Sequence, residues 1–156
     1  MAYSLDKCTG GTATADNSWD ANYVASKAFD NDETTTRWSS TDTAMPHWIK
    51  YNFGDGIVWI IRKLRLKPWA GSPAQVKDFT LQGSNNDSNW TTIYTGQAAD
   101  NGNWQDFIFT NTIAYRYYLV NITTSYYQPT TNAVSITEIE MMVKIPEGGA
   151  FLLNFV

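Results

Sequence analysis

The chain has 156 residues, enough for one domain that buries most of its apolar side chains, with eleven basic against fifteen acidic residues and a formal charge of −4. No basic stripe runs through it, which argues against a nucleic-acid partner. Cys8 stands alone and His47 is the sole histidine, so neither an intrachain disulfide nor a zinc cluster is expected.

The opening "MAYSLDKCTGG" has no apolar stretch of the signal-peptide kind. "SWDANYVASKAFD" has room for one short helical turn, with Asp20 near its start. The next run, "KAFDNDETTTRWSS", brings three acidic side chains and three threonines together and is too polar for a core strand. It reads either as a solvated turn or as an oxygen-rich cradle for a hard cation. Trp38 and, in "HWIKYNFG", Trp48 are read as core. That second stretch alternates His47, Ile49 and Tyr51 against Trp48, Lys50 and Asn52, as a half-buried strand does.

"LRLKP" puts Leu64 and Leu66 on one face and Arg65 and Lys67 on the other. "VKDFTLQGS" repeats the alternation with Phe79 and Leu81 and is expected to stop at Gly83. "WTTIYTG" and "WQDFIFTN" are short and closed by turn residues, and "YRYYLVNIT" turns Tyr118, Val120 and Ile122 inward. In the last strand Val134 and Ile136 share one parity, whereas Ile139, Met141 and Val143 share the other. A bulge between 136 and 139 reconciles them, and it leaves the acidic Glu138 beside buried positions in need of a partner. Short alternating strands separated by Gly, Asn, Asp and Ser turns predict an all-β antiparallel sandwich or barrel. After residues 1–145, the segment 146–156, "PEGGAFLLNFV", is strongly apolar. It is expected to add an edge strand, to begin a second module, or to contact another subunit or a parent protein.

Aromatic side chains make up 15% of the chain and charged ones only 17%, more rings than such a core readily takes, so some are expected at the surface. Trp19, Trp69, Tyr126 and Tyr127 fall in loop-like stretches. Such rings pack on the apolar face of a pyranose, while Asp20, Asn22, Gln75, Gln128 and Asn132 can meet its hydroxyls.

Five stretches in order, "ASKAFDNDETTTRWSS", "HWIKYNFG", "KDFTLQGSNNDSNWTTIYTG", "YRYYLVNIT" and "SITEIEM", resemble the discoidin-like or F5/8 type C domains. Their bacterial sugar-binding members form carbohydrate-binding module family 32. The resemblance spans roughly residues 10 to 143. It implies a jelly-roll β-sandwich of about eight antiparallel strands, glycan or phospholipid binding through loops at one end, and a structural calcium ion. Carried onto this chain, the ligands of that ion are the Lys27 carbonyl, Asp30, Asp32, Thr35 or Thr36, and Glu138, an all-oxygen set of the type calcium takes.

The sugar loops show neither the His nor the Arg of many galactose-binding members, and Trp69 stands where an arginine-bearing loop often occurs. They carry almost no Lys or Arg, which argues against membrane binding. The absence of paired cysteines points to a bacterial or phage relative. The expectation is a non-catalytic, calcium-stabilised glycan-binding module acting outside the cell or at its surface, although no signal peptide is visible. The rival is a structural or adhesive module of a larger assembly. An enzyme is not expected: glycoside hydrolysis needs two carboxyls about 5 to 9 Å apart across a cleft, and the acidic residues here are clustered in one loop or scattered on turns.

Overall fold

A computed structural model describes residues 1–70 and 74–146. Ten strands follow in chain order: β1 (Ala2–Tyr3), β2 (Thr12–Ala15), β3 (Trp38–Ser39), β4 (His47–Asn52), β5 (Ile61–Pro68), β6 (Asp78–Ser84), β7 (Thr91–Gln97), β8 (Gln105–Ile108), β9 (Tyr117–Ile122) and β10 (Ser135–Ile145). They form two five-stranded antiparallel sheets. One runs β1-β10-β5-β8 with β3 also on β10, and the other runs β2-β4-β9-β6-β7. Neighbours in each sheet are mostly distant in sequence, as the crossing connections of a jelly-roll sandwich require.

The helical turn lies at Ala25–Ala28, inside the stretch the sequence marked for one, but Asp20 does not open it. Asp20 instead closes a local turn, accepting the Asn22 amide at 2.6 Å. The expected restart after Pro146 lies outside the described residues.

The core fills with the alternate residues of facing strands. Ile49 and Tyr51 of β4, Phe79 and Leu81 of β6, and Tyr118, Val120 and Ile122 of β9 oppose Leu64, Leu66, Ile136, Ile139 and Met141 of the other sheet, all buried. Rings continue the packing: Phe29, Tyr51 and Phe53 follow one another at 4.9 and 5.0 Å between centroids. The buried Tyr118 hydroxyl donates to the Trp59 carbonyl at 2.6 Å and accepts the Ile61 amide at 3.1 Å. Burial pushes this phenol up to about 12.

Two readings need correction. Trp48 is not core: it points outward from β4 and is half-buried. Lys50 Nζ lies 5.5 Å from its ring, 5.9 Å from Trp90 and 5.8 Å from Tyr117, so the lysine stem and its charge cover an outward aromatic group. Nor does β6 stop at Gly83; it continues to Ser84. Gly83 sits inside the strand because the Tyr115 ring occupies the space a Cβ would need.

The bulge in β10 is where side-chain parity placed it. Ile136 pairs with Pro68 and Glu138 with Lys67, leaving Thr137 as the extra residue. Ile136, Thr137, Glu138 and Ile139 are consequently all buried.

Candidate functional site

The loops after β2, before β4, before β6 and after β9 gather at one end of the sandwich. Strand register puts Ala15 beside Ile49, and both His47 and Phe79 beside Ile122. Backbone and side-chain bonds then tie loop to loop. The Trp19 amide donates to the Ser39 carbonyl at 2.8 Å, and Ser39 donates to the Tyr23 carbonyl at 3.1 Å. The buried Trp38 indole donates to the Asn17 carbonyl at 2.9 Å. Asp42 accepts the Asn132 amide at 2.6 Å and the Thr131 hydroxyl at 3.0 Å, and these two bonds hold its carboxyl below the usual range.

Between these loops lies an open cleft of 310 Å³, walled by Trp19, Tyr23, Arg37, Ser39, Thr131 and Ser135 among others. Trp19 is 59% exposed, an unusual state for a tryptophan with a cleft beside it. The Arg37 guanidinium lies 4.3 Å from the Tyr23 ring centre and 4.1 Å from that of Trp69. Its Nε donates to Ser39 Oγ at 3.2 Å, which in turn lies 2.8 Å from Ser135 Oγ. The cleft therefore offers an exposed indole, a guanidinium held by two rings, and hydroxyls on its walls.

The other sequence candidates are dispersed around this point. Asn132 lies between the wall residues Thr131 and Ala133 and accepts from the Gln128 amide at 2.9 Å. Asp20 and Asn22 are exposed on the loop that carries Trp19. Tyr126 is tied away, its hydroxyl donating to the Ala98 carbonyl at 2.8 Å, and Tyr127 is half-buried in the same loop. Gln75 is buried, and its amide nitrogen donates to the Trp69 carbonyl, so it braces the loop from beneath.

Sequence reasoning did not mark Tyr23 or Arg37, and it found no convincing arginine in the sugar loops, whereas the structure puts Arg37 on the cleft wall. Alternation held the signal: if Trp38 is core, its neighbour Arg37 must point the other way.

The acidic loop is resolved side chain by side chain. Asp30 Oδ1 accepts the Thr36 hydroxyl at 2.8 Å and the Asp32 amide at 3.1 Å. The Asp32 carboxylate turns back on its own loop and accepts the Thr34 and Thr35 amides at 3.1 and 2.9 Å and both their hydroxyls. Those bonds, the Thr35 hydroxyl first, hold its pKa far below the ordinary carboxylate value. Glu33 leaves the group altogether, pairing with Lys67 at 3.3 Å and accepting the Trp104 indole N–H.

Thr36 Oγ1 is the meeting point. It lies 2.8 Å from Asp30 Oδ1, 3.2 Å from the Asp32 carbonyl and 3.4 Å from the Lys27 carbonyl. Thr35, whose hydroxyl is committed to Asp32, stands outside this set.

Glu138 approaches from β10. It is 1% exposed, and neither carboxylate oxygen has a hydrogen-bond partner. Burial first and the Asp30 charge second push its pKa up to about 8; the Asn31 amide opposes the shift without closing a hydrogen bond. Asn31 itself turns the loop with a φ of 60°.

Among the described residues no three His, Cys, Asp or Glu side chains cluster as a metal site. A cation here would lean on backbone carbonyls and a hydroxyl as much as on carboxylates. The donor set fits a hard cation of that kind: it is all oxygen, and the orphaned buried carboxylate of Glu138 is near enough to feel the Asp30 charge.

The fold is thus a β-sandwich with its cleft among the loops at one end. Residues 12–139 match the F5/8 type C domain family, and the chain belongs to it. Chitosan-binding module 1 of a chitosanase/glucanase from Paenibacillus sp. IK-5 is 31% identical, with a TM-score of 0.73 over 88% of this chain and 98% of that one. Module 2 of the same enzyme, solved with chitotriose, is 25% identical with a TM-score of 0.73, covering 87% and 98%. The family 32 module of C. perfringens NanJ, solved with galactose, has a TM-score of 0.77 over 91% and 100% at 17% identity, which speaks for the fold alone. No curated protein matches. The chain is a non-catalytic module of the carbohydrate-binding-module type.

Proposed function

We propose that the cleft at the loop end binds a glycan, with one sugar ring stacked on Trp19 and its polar groups met by Arg37, Ser39 and the Thr131–Asn132 backbone. The observation that carries this reading is the exposed Trp19 ring on the wall of a cleft whose arginine is already oriented by Tyr23 and Trp69. A guanidinium packed between two rings loses little freedom when it binds a hydroxyl. The relatedness to two chitosan-binding modules makes glucosamine oligosaccharides the first ligands to test, and the net charge of −4 favours a cationic polymer. Bacterial relatives carried on polysaccharide-degrading enzymes support work outside the cell.

Calorimetric titration with chitotriose, galactose and mannuronate oligosaccharides tests the proposal. Binding to at least one is expected, weakened about tenfold or more (roughly 1.4 kcal/mol) by Trp19→Ala with the melting temperature unchanged. No binding to any of them at millimolar concentration overturns it.

The same reading includes a structural calcium ion held by the Lys27 and Asp32 carbonyls, Asp30, Thr36 and Glu138. Bound there, it supplies the positive charge that the buried Glu138 lacks and joins the acidic loop to β10. Its support is the orphaned carboxylate and the oxygens around Thr36. A melting curve in calcium that coincides with the curve in chelator removes this part and leaves the sugar site standing.

A further inference from the structure

A second hollow, of 470 Å³, adjoins the cleft at Trp69; its walls include Glu33, Lys67, Pro68, Trp69, Ala70 and Gly102. The Trp69 ring is the shared boundary. It walls this hollow and carries, 4.1 Å from its centre, the Arg37 guanidinium that walls the cleft. The backbone repeats the join, since the Trp69 amide donates at 3.3 Å to the carbonyl of Ser135, another cleft wall.

Three segments build the hollow. The end of β5 supplies Lys67 and Pro68 and leads into Trp69. The acidic loop comes over through Glu33, whose backbone carbonyl accepts the Lys67 ammonium at 2.9 Å. The loop between β7 and β8 closes in at Gly102, where a Cβ would fall 2.2 Å from that of Ala70, so the approach needs a glycine.

The lining suits a sugar ring. Trp69, Pro68 and Ala70 give an apolar surface on which a pyranose face packs. Glu33 and Lys67 pair at 3.3 Å, with side chains 50% and 21% exposed. The Trp104 indole N–H and the Lys67 ammonium both donate to the Glu33 carboxylate and hold its pKa below the ordinary value, so it is ionised near neutral pH. The pair sets a fixed acceptor beside a fixed donor and carries no net charge. That arrangement fits adjacent hydroxyls better than a charged substituent.

We propose that a bound glycan runs from the cleft over Trp69 into this hollow, so that the module reads two contiguous sugar rings. The second ring packs on Pro68 and Trp69 and places vicinal hydroxyls on Glu33 and Lys67. This rests on the cleft being a sugar site and adds what that site selects, oligosaccharides over single sugars. Among the described residues the hollow's walls include none of the proposed cation ligands, so the two roles are separable.

Calorimetric titration of the full chain with glucosamine, galactose and mannuronate, each as monomer and as linear dimer and trimer, tests it. In a series that binds, the dimer is expected to bind about tenfold more tightly than the monomer. Lys67→Met and Glu33→Gln should each remove most of that gain while the monomer affinity and the melting temperature stay unchanged, a pattern that misfolding cannot produce. The Trp104 indole N–H signal in NMR gives a readout free of substitutions. The dimer should move it, because the carboxylate that accepts this N–H gains a new partner, and the monomer should not, because Trp104 is not a cleft wall. Equal affinity for monomer, dimer and trimer overturns the proposal and leaves the cleft standing. So does a gain with chain length that survives both substitutions, since the glycan then leaves the cleft in another direction. No binding in any series ends the cleft reading and this one with it.

Discussion

Arg37 and Trp38 are adjacent and face opposite ways. Trp38 is fully buried, and its replacement by Ala is expected to cost about 3–5 kcal/mol, the usual range for a large buried ring. A loss under about 1 kcal/mol in urea unfolding contradicts that placement. Arg37 instead lies between Tyr23 and Trp69, and Arg37→Met should weaken glycan binding while costing stability only on the order of 1 kcal/mol, the scale of partly exposed cation–π contacts. A collapse in stability equal to that of Trp38→Ala makes it a structural residue. Trp38 was legible in the sequence because it starts a strand beside a polar loop. Trp48 misled because a tryptophan in an alternating strand looks apolar from sequence whichever face it takes, and a lysine two residues on supplied its cover. Glu138 carries the pH prediction. Its pKa in the fold, about 8, lies above the ordinary value of 4.5, so without a cation the folded chain binds the extra proton. In chelator the stability should therefore rise as pH falls from about 8 toward 4.5 and level off below. Calcium at the proposed site competes with that proton and should flatten the rise, and Glu138→Gln should abolish both the rise and the calcium response. Equal pH slopes for wild type and Glu138→Gln in chelator rule out this residue as the source.

At the scale of elements, what carried a period could be read and what did not could not. Strands β4, β5, β6 and β9 show alternation over six to eight residues, and their inward faces are the ones the pattern marks. Strands β1 and β3 have two residues each, too few to hold a period, and exist because β10 offers them a partner. The bulge was visible because hydrophobic parity changes across it. The second irregularity, between Met142 and Val143, leaves no such trace, since Met142 is buried as well. The bulge explains how one strand buries Ile136 and Ile139 while delivering Glu138 to the acidic loop. Deleting Thr137 should turn Val134 and Ile136 toward solvent, at about 1.5–3 kcal/mol for each side chain and so roughly 3–6 kcal/mol together. An unfolding midpoint near that of wild type would show that the extra residue does not set the register.

Across the whole molecule the loops that wall the cleft occupy one end, and the acidic loop follows the 3₁₀ turn, which lies against the long strand β10. The side chains within each loop were legible, but their meeting was not, because loop-to-loop bonds such as Asp42 to Asn132 link positions ninety residues apart with no periodic signature. The proposed ion sits where β10, the least local strand, meets a loop that contributes no ladder of its own. Its effect should therefore be regional. An ion bound only by the folded chain adds RT ln(1 + [L]/Kd) to stability, and removing it first releases the segments it joins. Hydrogen exchange in calcium against chelator should show lost protection over residues 30–37 and 135–140, while the amides of β4, β6 and β9 stay protected. Those three strands pair through the centre of the other sheet, and the proposed cation ligands come from none of them. Asp30→Ala in calcium should give the pattern of wild type in chelator, and chitotriose, if it binds, should still bind, since the cleft walls include none of the proposed cation ligands. Uniform loss of protection over both sheets would make the ion a global clamp, and unchanged protection would reduce the loop to a hydrogen-bonded turn.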